Sequence, residues 1–375
     1  MKVKSMWRSP VLSCFIATLA VAGCTDSKPA TPTNSGNATA ETSNSDIKPP
    51  PTRFRLAWSE YPSWSIFGVA EEAGLIDGTQ NGMGSIEKEF NVDIELVLAD
   101  YDQCINLYGI SMTDAVCITN IDILSAARSR AAVAILPTST SAGADACITA
   151  GIDTLEGLKG KSTHGLEKSV SQYCFDRCLE KRKAVNADYP FSQMDPAQAA
   201  IAFQGKDPGV QSIMVWNPFV MQSLRSRSDA KVLFSSEEIP EEIIDMVVVS
   251  KDSLNKKGGK DFAMAILKTF YVMNERMADP KTSDQTLIGI GAKFSKLELA
   301  DMKTIVKQTR FYSDPNDAIR LFSSDAFQKE TMKKVSDFCV KYGMTPEPVT
   351  LSFGTKEGAM DFDASYLKSY NESKK

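Results

Sequence analysis

From Phe54 to Leu136 the chain alternates short apolar runs with segments whose apolar residues recur at helical spacing, the strongest constraint the sequence places on its fold. Phe54–Trp58, Val92–Leu98, Ala115–Thr119 and Ala132–Leu136 read as strands, and Ile66–Ile76, Asp102–Ile110 and Ile121–Arg130 as the helices between them. This pattern predicts an α/β architecture, a mostly parallel sheet with helices on both faces. A second series starts near Lys161, runs through Ile213–Trp216 and reaches Val232–Phe234, and Ile243–Ser250 reads as a last buried strand. Beyond Ser250 the segments Lys260–Met277, Asp284–Ala292, Lys296–Gln308, Asp314–Phe322 and Asp325–Tyr342 are amphipathic, several opening on Asp or Ser that can cap a helix. Two α/β series followed by a returning strand predict two lobes. Residues 53–139 form the first part of lobe 1, 140–243 lobe 2, and 244–375 the rest of lobe 1 with its helical region. A chain that crosses twice between lobes has a hinge there.

The amino terminus reads differently. Lys2, Lys4 and Arg8 precede an apolar run, Pro10–Ala22, and Val21-Ala22-Gly23-Cys24 resembles a lipoprotein cleavage box. Residues 1–23 are therefore expected to be a signal peptide, and Cys24 to carry the lipid. Thr25–Thr52, rich in Ser, Thr, Asn, Pro and Ala, has little to bury and reads as a disordered tether, so that 24–52 links the anchor to the folded body. The expected location is outside the cytoplasm, lipid-anchored to the membrane and facing the periplasm or the cell exterior. Six further cysteines, Cys104, Cys117, Cys147, Cys174, Cys178 and Cys339, permit disulfides in an exported protein. Cys174 and Cys178, one helical turn apart, could bring their sulfurs together, or could be small buried apolar residues.

A catalytic constellation is hard to assemble. The single histidine, His164, rules out a His-rich metal site, and its place after a strand fits a structural hydrogen bond. Gly160-Lys161-Ser162, Gly82-Met83-Gly84 and Gly289-Ile290-Gly291 each imitate a fragment of a nucleotide-binding motif and lack the rest. A net charge of −5 without any basic cluster argues against nucleic acid as a partner. No enzyme, cofactor or metal is expected, and the body should be a monomer.

What remains are loops at the carboxyl ends of strands, where open α/β sheets bind their ligands. Ser59, Glu60, Tyr61 and Trp64 follow the first strand; Thr119, Asn120 and Asp122 follow the third; Ser141 and Asp145 lie in a loop after the fourth. Glu167 and Ser169 follow the first strand of the second lobe, Trp216 and Asn217 follow another, and Asp245 leads the returning strand. Hydroxyls, amides, carboxylates and tryptophans interleaved in this way suit a small polar solute. Any one hydroxyl, such as Ser59, Thr119 or Ser169, could equally cap a helix, and Trp58 still sits on its strand and reads as core.

Six blocks in order carry a resemblance: Trp58-Ser59 with Tyr61 and Trp64; Met112-Thr113 through Thr119-Asn120-Ile121-Asp122; Leu158-Lys159-Gly160-Lys161; Glu167 with Ser169-Val170-Ser171; Val215-Trp216-Asn217-Pro218; and Ile239-Pro240 with Glu242-Ile243-Ile244-Asp245. Over Arg53–Leu367 the chain resembles the solute-binding proteins of ABC importers of the nitrate, sulfonate and taurine type, with most likeness to a urea-type branch associated with urea carboxylase and guanidine metabolism. The resemblance implies a two-lobed periplasmic-binding-protein type II clamshell that closes on a guanidine- or urea-like solute and docks on ABC permease subunits. Nitrate, a sulfonate or taurine, a thiamine-precursor pyrimidine, and a sensory role are the alternatives. Ser141-Ala142-Gly143-Ala144-Asp145 stands where that branch tends to Asn-Gly-Asn-Asp, and Glu60 where it tends to an apolar residue. The loops that follow the strands carry the acids Glu60, Asp122, Asp145, Glu167, Glu242 and Asp245 and, of basic residues, Lys168 alone, which points to a cation or a pure donor.

Overall fold

The structure, a computed structural model, describes residues 49–293 and 297–374; the expected signal segment, Cys24 and the tether as far as Lys48 lie outside the described residues. Among the described residues there are thirteen strands: β1 (Thr52–Trp58), β2 (Val92–Leu98), β3 (Ala115–Thr119), β4 (Ala132–Ser141), β5 (Asp145–Ala150), β6 (Thr163–Gly165), β7 (Phe191–Gln193), β8 (Ser212–Trp216), β9 (Ala230–Ser235), β10 (Ile244–Ser250), β11 (Thr309–Phe311), β12 (Leu351–Ser352) and β13 (Met360–Phe362). They make an eight-stranded sheet, ordered β12-β13-β4-β10-β3-β1-β2 with β11 on β4, and a five-stranded sheet, ordered β7-β6-β8-β5-β9. Each sheet, with its helices, is one lobe of the α/β fold.

Parallel pairing joins β1 to β2 and β3, as the alternation of elements predicts. The sheets as wholes are mixed, however, because β10 runs antiparallel to both β3 and β4, and β5 antiparallel to both β8 and β9. The cause is topological: β4 carries the chain out of the first lobe and β10 brings it back, so these neighbours must run in opposite senses. The crossing also corrects the loop expected at Thr138–Asp145. Ser139 and Thr140 are paired on one edge by β10 and on the other by β11, so their backbone groups are satisfied as strand. Every residue of β3, β4 and β10 is buried.

The first helix runs Pro62–Glu72 and so starts ahead of the expected Ile66, because Pro62 sits in its first turn, where a missing N–H costs nothing. Trp58 belongs to the core. Its ring packs so closely on this helix that a Cβ added at Gly68 would lie 2.8 Å from Trp58 Cη2. In the carboxy-terminal region the expected continuous helix Asp325–Tyr342 is instead a π-helical turn, Ala326–Thr331, followed by a helix, Met332–Lys341. That helix docks on the second-lobe helix Val170–Lys181. Lys341 Nζ lies 3.0 Å from Asp176, the Tyr342 hydroxyl donates to the same carboxylate, and Phe338 meets Tyr173 edge-on at 5.3 Å. The six cysteines of the body are free and buried, with Cys174 and Cys178 beside one another.

Candidate functional site

The cleft between the lobes is built from strand ends. Asp245 lies opposite Thr119 across the β10–β3 pairing, and Asp145 lies opposite Trp216 across the β5–β8 pairing. Directly opposed residues share a face of their sheet, so each lobe offers one acid with one neighbour to the same space. A bulge in the β10–β4 pairing falls between Asp245 and Met246, the kind of irregularity that re-aims a side chain. With Ser59, Tyr61, Trp64, Tyr101, Val170 and Ile243 these residues line an inner chamber.

The walls are aromatic. Trp64 stacks on Tyr101 at 5.6 Å and 14°, Tyr61 tilts against Trp64 at 5.0 Å, and Trp216 meets Tyr101 edge-on at 5.9 Å. The Tyr101 hydroxyl donates to Asp122 Oδ2 at 2.7 Å and accepts from the Thr119 backbone N–H at 3.1 Å; Thr119 Oγ1 also donates to Asp122 Oδ2, at 2.9 Å. Ser139 Oγ donates to Asp245 Oδ2 at 2.5 Å and Ser63 lies behind it at 2.8 Å. The Tyr61 hydroxyl faces Asp245 and Thr309 yet meets neither in hydrogen-bond geometry, and Trp64 Nε1 is likewise buried without a partner.

Burial dominates the electrostatics. It pushes Asp122 and Asp145 each up to about 6, against the hydrogen bonds that Tyr101, Thr119 and Val170 supply to Asp122 and Ser141 to Asp145. Asp245 is raised well above the usual carboxylate range by burial and by the charge of Asp145. No lysine or arginine contributes to any of the three, and none lines the cleft among the described residues.

Of the residues expected from sequence, Ser59, Tyr61, Trp64, Thr119, Asp145, Trp216 and Asp245 line the inner chamber, and Glu60 an adjoining outer one. Asp122 stands behind Thr119 and Tyr101. The others are placed in supporting roles. Asn120 ties β3 to the return strand, its amide donating to Glu242 O at 3.1 Å and accepting from Ile244 N at 2.9 Å. Ser141 holds Ser236 at 2.7 Å where the chain crosses, and Asn217 donates to Gln308 at 2.8 Å. Ser169 caps the helix Val170–Lys181. Glu167 is half-buried beside Gln193 and lines neither chamber, so the acids of the inner site are Asp145 and Asp245 instead. His164 meets the Gly209 carbonyl at 3.0 Å, a structural contact. Tyr101, Val170 and Ile243 are additional lining residues. Tyr101 was legible in principle, since it follows β2 at its carboxyl end as Ser59 follows β1. Among the described residues no group of three or more His, Cys, Asp or Glu is placed to hold a metal, and no helix is long and apolar enough to cross a membrane.

No protein-family model matches the chain, and no curated protein matches it. Its fold is similar to that of the periplasmic aliphatic sulphonate-binding protein of Escherichia coli, at 17% identity over 80% of this chain and 95% of that one, TM-score 0.63. It is similar also to the alkanesulfonate-binding protein of Xanthomonas axonopodis pv. citri bound to MOPS, at 16% identity over 79% and 95%, TM-score 0.61. A Candida albicans protein described as having the generic periplasmic-binding-protein fold matches at 14% identity over 86% and 95%, TM-score 0.59. The chain therefore has the two-lobed periplasmic-binding-protein fold. At these identities the likeness defines the fold alone.

Proposed function

We propose that this protein is an extracytoplasmic solute-binding protein without catalytic activity, delivering a small nitrogen-rich solute to an ABC import permease and held to the membrane by a lipid on Cys24. Its preferred solute is a guanidinium-type cation, with urea a weaker ligand of the same shape. One observation carries this reading: the aromatic inner chamber holds two buried carboxylates, Asp145 and Asp245, and no basic residue lines it. A planar cation can lay a face on the aromatic wall and donate paired N–H groups to carboxylates through its edge. Binding a cation would supply the counter-charge that the buried acids lack.

A second reading has its own support. The helices Pro62–Glu72, Tyr101–Gly109 and Val170–Lys181 all begin at the chamber, and helix starts favour anions. Trp64 Nε1 is a buried donor in want of an acceptor. A sulfonate, taurine or nitrate would use both. Against this, Asp122 already places a carboxylate at the start of Val170–Lys181, where the Val170 backbone N–H partly offsets the rise that burial imposes. Calorimetric titration of the purified protein with guanidinium, urea, nitrate and taurine separates the readings. Guanidinium binding more tightly than urea, with no heat from the anions, is expected; tight taurine or nitrate binding overturns the cation reading.

A further inference from the structure

We infer that the solute is longer than its cationic head and carries a second positive charge, a linear dication of the guanidinoalkylamine kind. The inference rests on the cation reading above and extends it to the rest of the ligand. The inner chamber does not end the cleft: Ser59, Tyr101 and Trp216 line both it and a larger outer chamber. Guanidinium itself, one carbon with its nitrogens, would leave that space to water. The head's position is marked by the unpartnered Tyr61 hydroxyl, on a side chain only 5% exposed, on the inner wall facing Asp245.

The outer chamber has a composition of its own. Asp100 and Asp102 come from the first lobe, with Glu60, and Asp195 from the second, and no lysine or arginine lines it. Helix capping accounts for Asp195, which accepts from Gln198 N at 3.0 Å. It does not account for Asp100, which occupies the cap position of Tyr101–Gly109 and makes no capping hydrogen bond. Leu98, Ala197 and Phe219 line the same chamber and offer apolar surface on which a methylene stem can rest. An aromatic box with buried acids, adjoining a chamber that combines apolar surface with acids contributed by both lobes, matches a ligand with a planar cationic head, an alkyl stem and a terminal ammonium.

Butylguanidinium and agmatine share a stem and a head and differ in the terminal ammonium, so their ratio of affinities for the full chain reads the second charge. Agmatine is expected to bind about tenfold more tightly or better, with an advantage that shrinks as salt is added. In the triple variant Asp100→Asn/Asp102→Asn/Asp195→Asn that ratio should fall toward one. Asn at 195 preserves a good cap, and a melting curve shows whether the variant is folded. Equal affinities in the parent protein overturn the second charge while leaving the cationic head intact. An undiminished ratio in the folded triple variant overturns the assignment to the outer chamber. Binding of taurine with no binding of either guanidine removes the cation reading, and the inference with it.

Discussion

Asp145 is close enough to raise the proton affinity of Asp245, yet the two come from different sheets, a juxtaposition that only the double crossing of the chain explains. Their acidic character was legible in the sequence; their pairing was not, because loop position alone did not separate them from Glu167, which stands away from both chambers. Replacing one of them tests the site. Asp145→Asn should weaken guanidinium binding by roughly 2–5 kcal/mol, the usual cost of truncating one side of a buried charged pair, and weaken urea less. Calorimetry on parent and variant reads both. The same substitution should stabilise the unliganded protein. A carboxylate raised to about 6 from an unfolded value near 3.9 contributes stability below about pH 4 that is lost as the pH climbs through 6, so the charged form costs on the order of 2 kcal/mol at neutral pH. The melting temperature of Asp145→Asn should therefore exceed that of the parent at pH 7, and the gap should close on acidification. Ligand affinity follows the opposite course. The groups around these acids are Asp122, Tyr61, Tyr101, Cys117 and Cys174, none of them cationic, so acidification below about 6 can only remove negative charge from the site. Guanidinium binding should weaken there and release protons near pH 6; an anion would instead bind more tightly and take protons up.

At the scale of elements the apolar pattern served well both where a strand is buried throughout, as β3 and β10 are, and where it is half-buried at the sheet edge, as β2 is. β2 and β3 begin and end where the apolar runs do, and β10 begins one residue inside its run. It failed where backbone pairing rather than side-chain pattern decides. Thr138–Ser141 reads as a polar loop because its hydroxyls mimic turn residues, yet β10 and β11 flank it and make it strand. The three-residue strands β6, β7 and β11 are too short for any period to register. The return connection depends on a contact that periodicity could not reveal. Arg177, on the helix Val170–Lys181, holds Glu242 through Nε at 2.7 Å and Nη2 at 2.9 Å, and Lys334 of the carboxy-terminal helix reaches the same carboxylate at 3.2 Å. Despite the cost of burial, Arg177 and Lys334 hold Glu242 down to about 2. Arg177→Ala leaves that buried carboxylate short of its main partner and should destabilise the protein by about 3–5 kcal/mol, read as a lower denaturant midpoint at unchanged slope. Because the folded value is depressed, this contribution is complete above the unfolded value near 4.3 and is lost as the pH falls toward 2, so parent and variant should converge in acid.

At the scale of the whole molecule, the two-lobed plan followed from the order of strand-like and helix-like segments; the chain passes from the first sheet to the second between β4 and β5 and returns between β9 and β10, so the expected boundary at 139/140 falls inside β4. The carboxy-terminal helices add what that order did not contain: they leave the first sheet and bind the second lobe, through Asp176 and Tyr173 on one helix and Glu242 on the return connection. Any opening of the cleft must then bend the two crossing strands and also shift or carry these contacts, since Val170, at the other end of the same helix, lines the inner chamber. A ligand that bridges Asp145 of one lobe and Asp245 of the other has differential affinity for the closed arrangement and so shifts the population toward it. Small-angle scattering should accordingly show a smaller radius of gyration with saturating guanidinium than without it. Asp176→Asn, which weakens the bridge from Lys341 and Tyr342 without touching the chamber, should enlarge the unliganded molecule and steepen its response to ligand. Superimposable scattering curves for free and saturated protein, with binding verified by calorimetry on the same samples, would show that the cleft binds its solute without closing, and hinge motion would have to be abandoned as the signal to a permease.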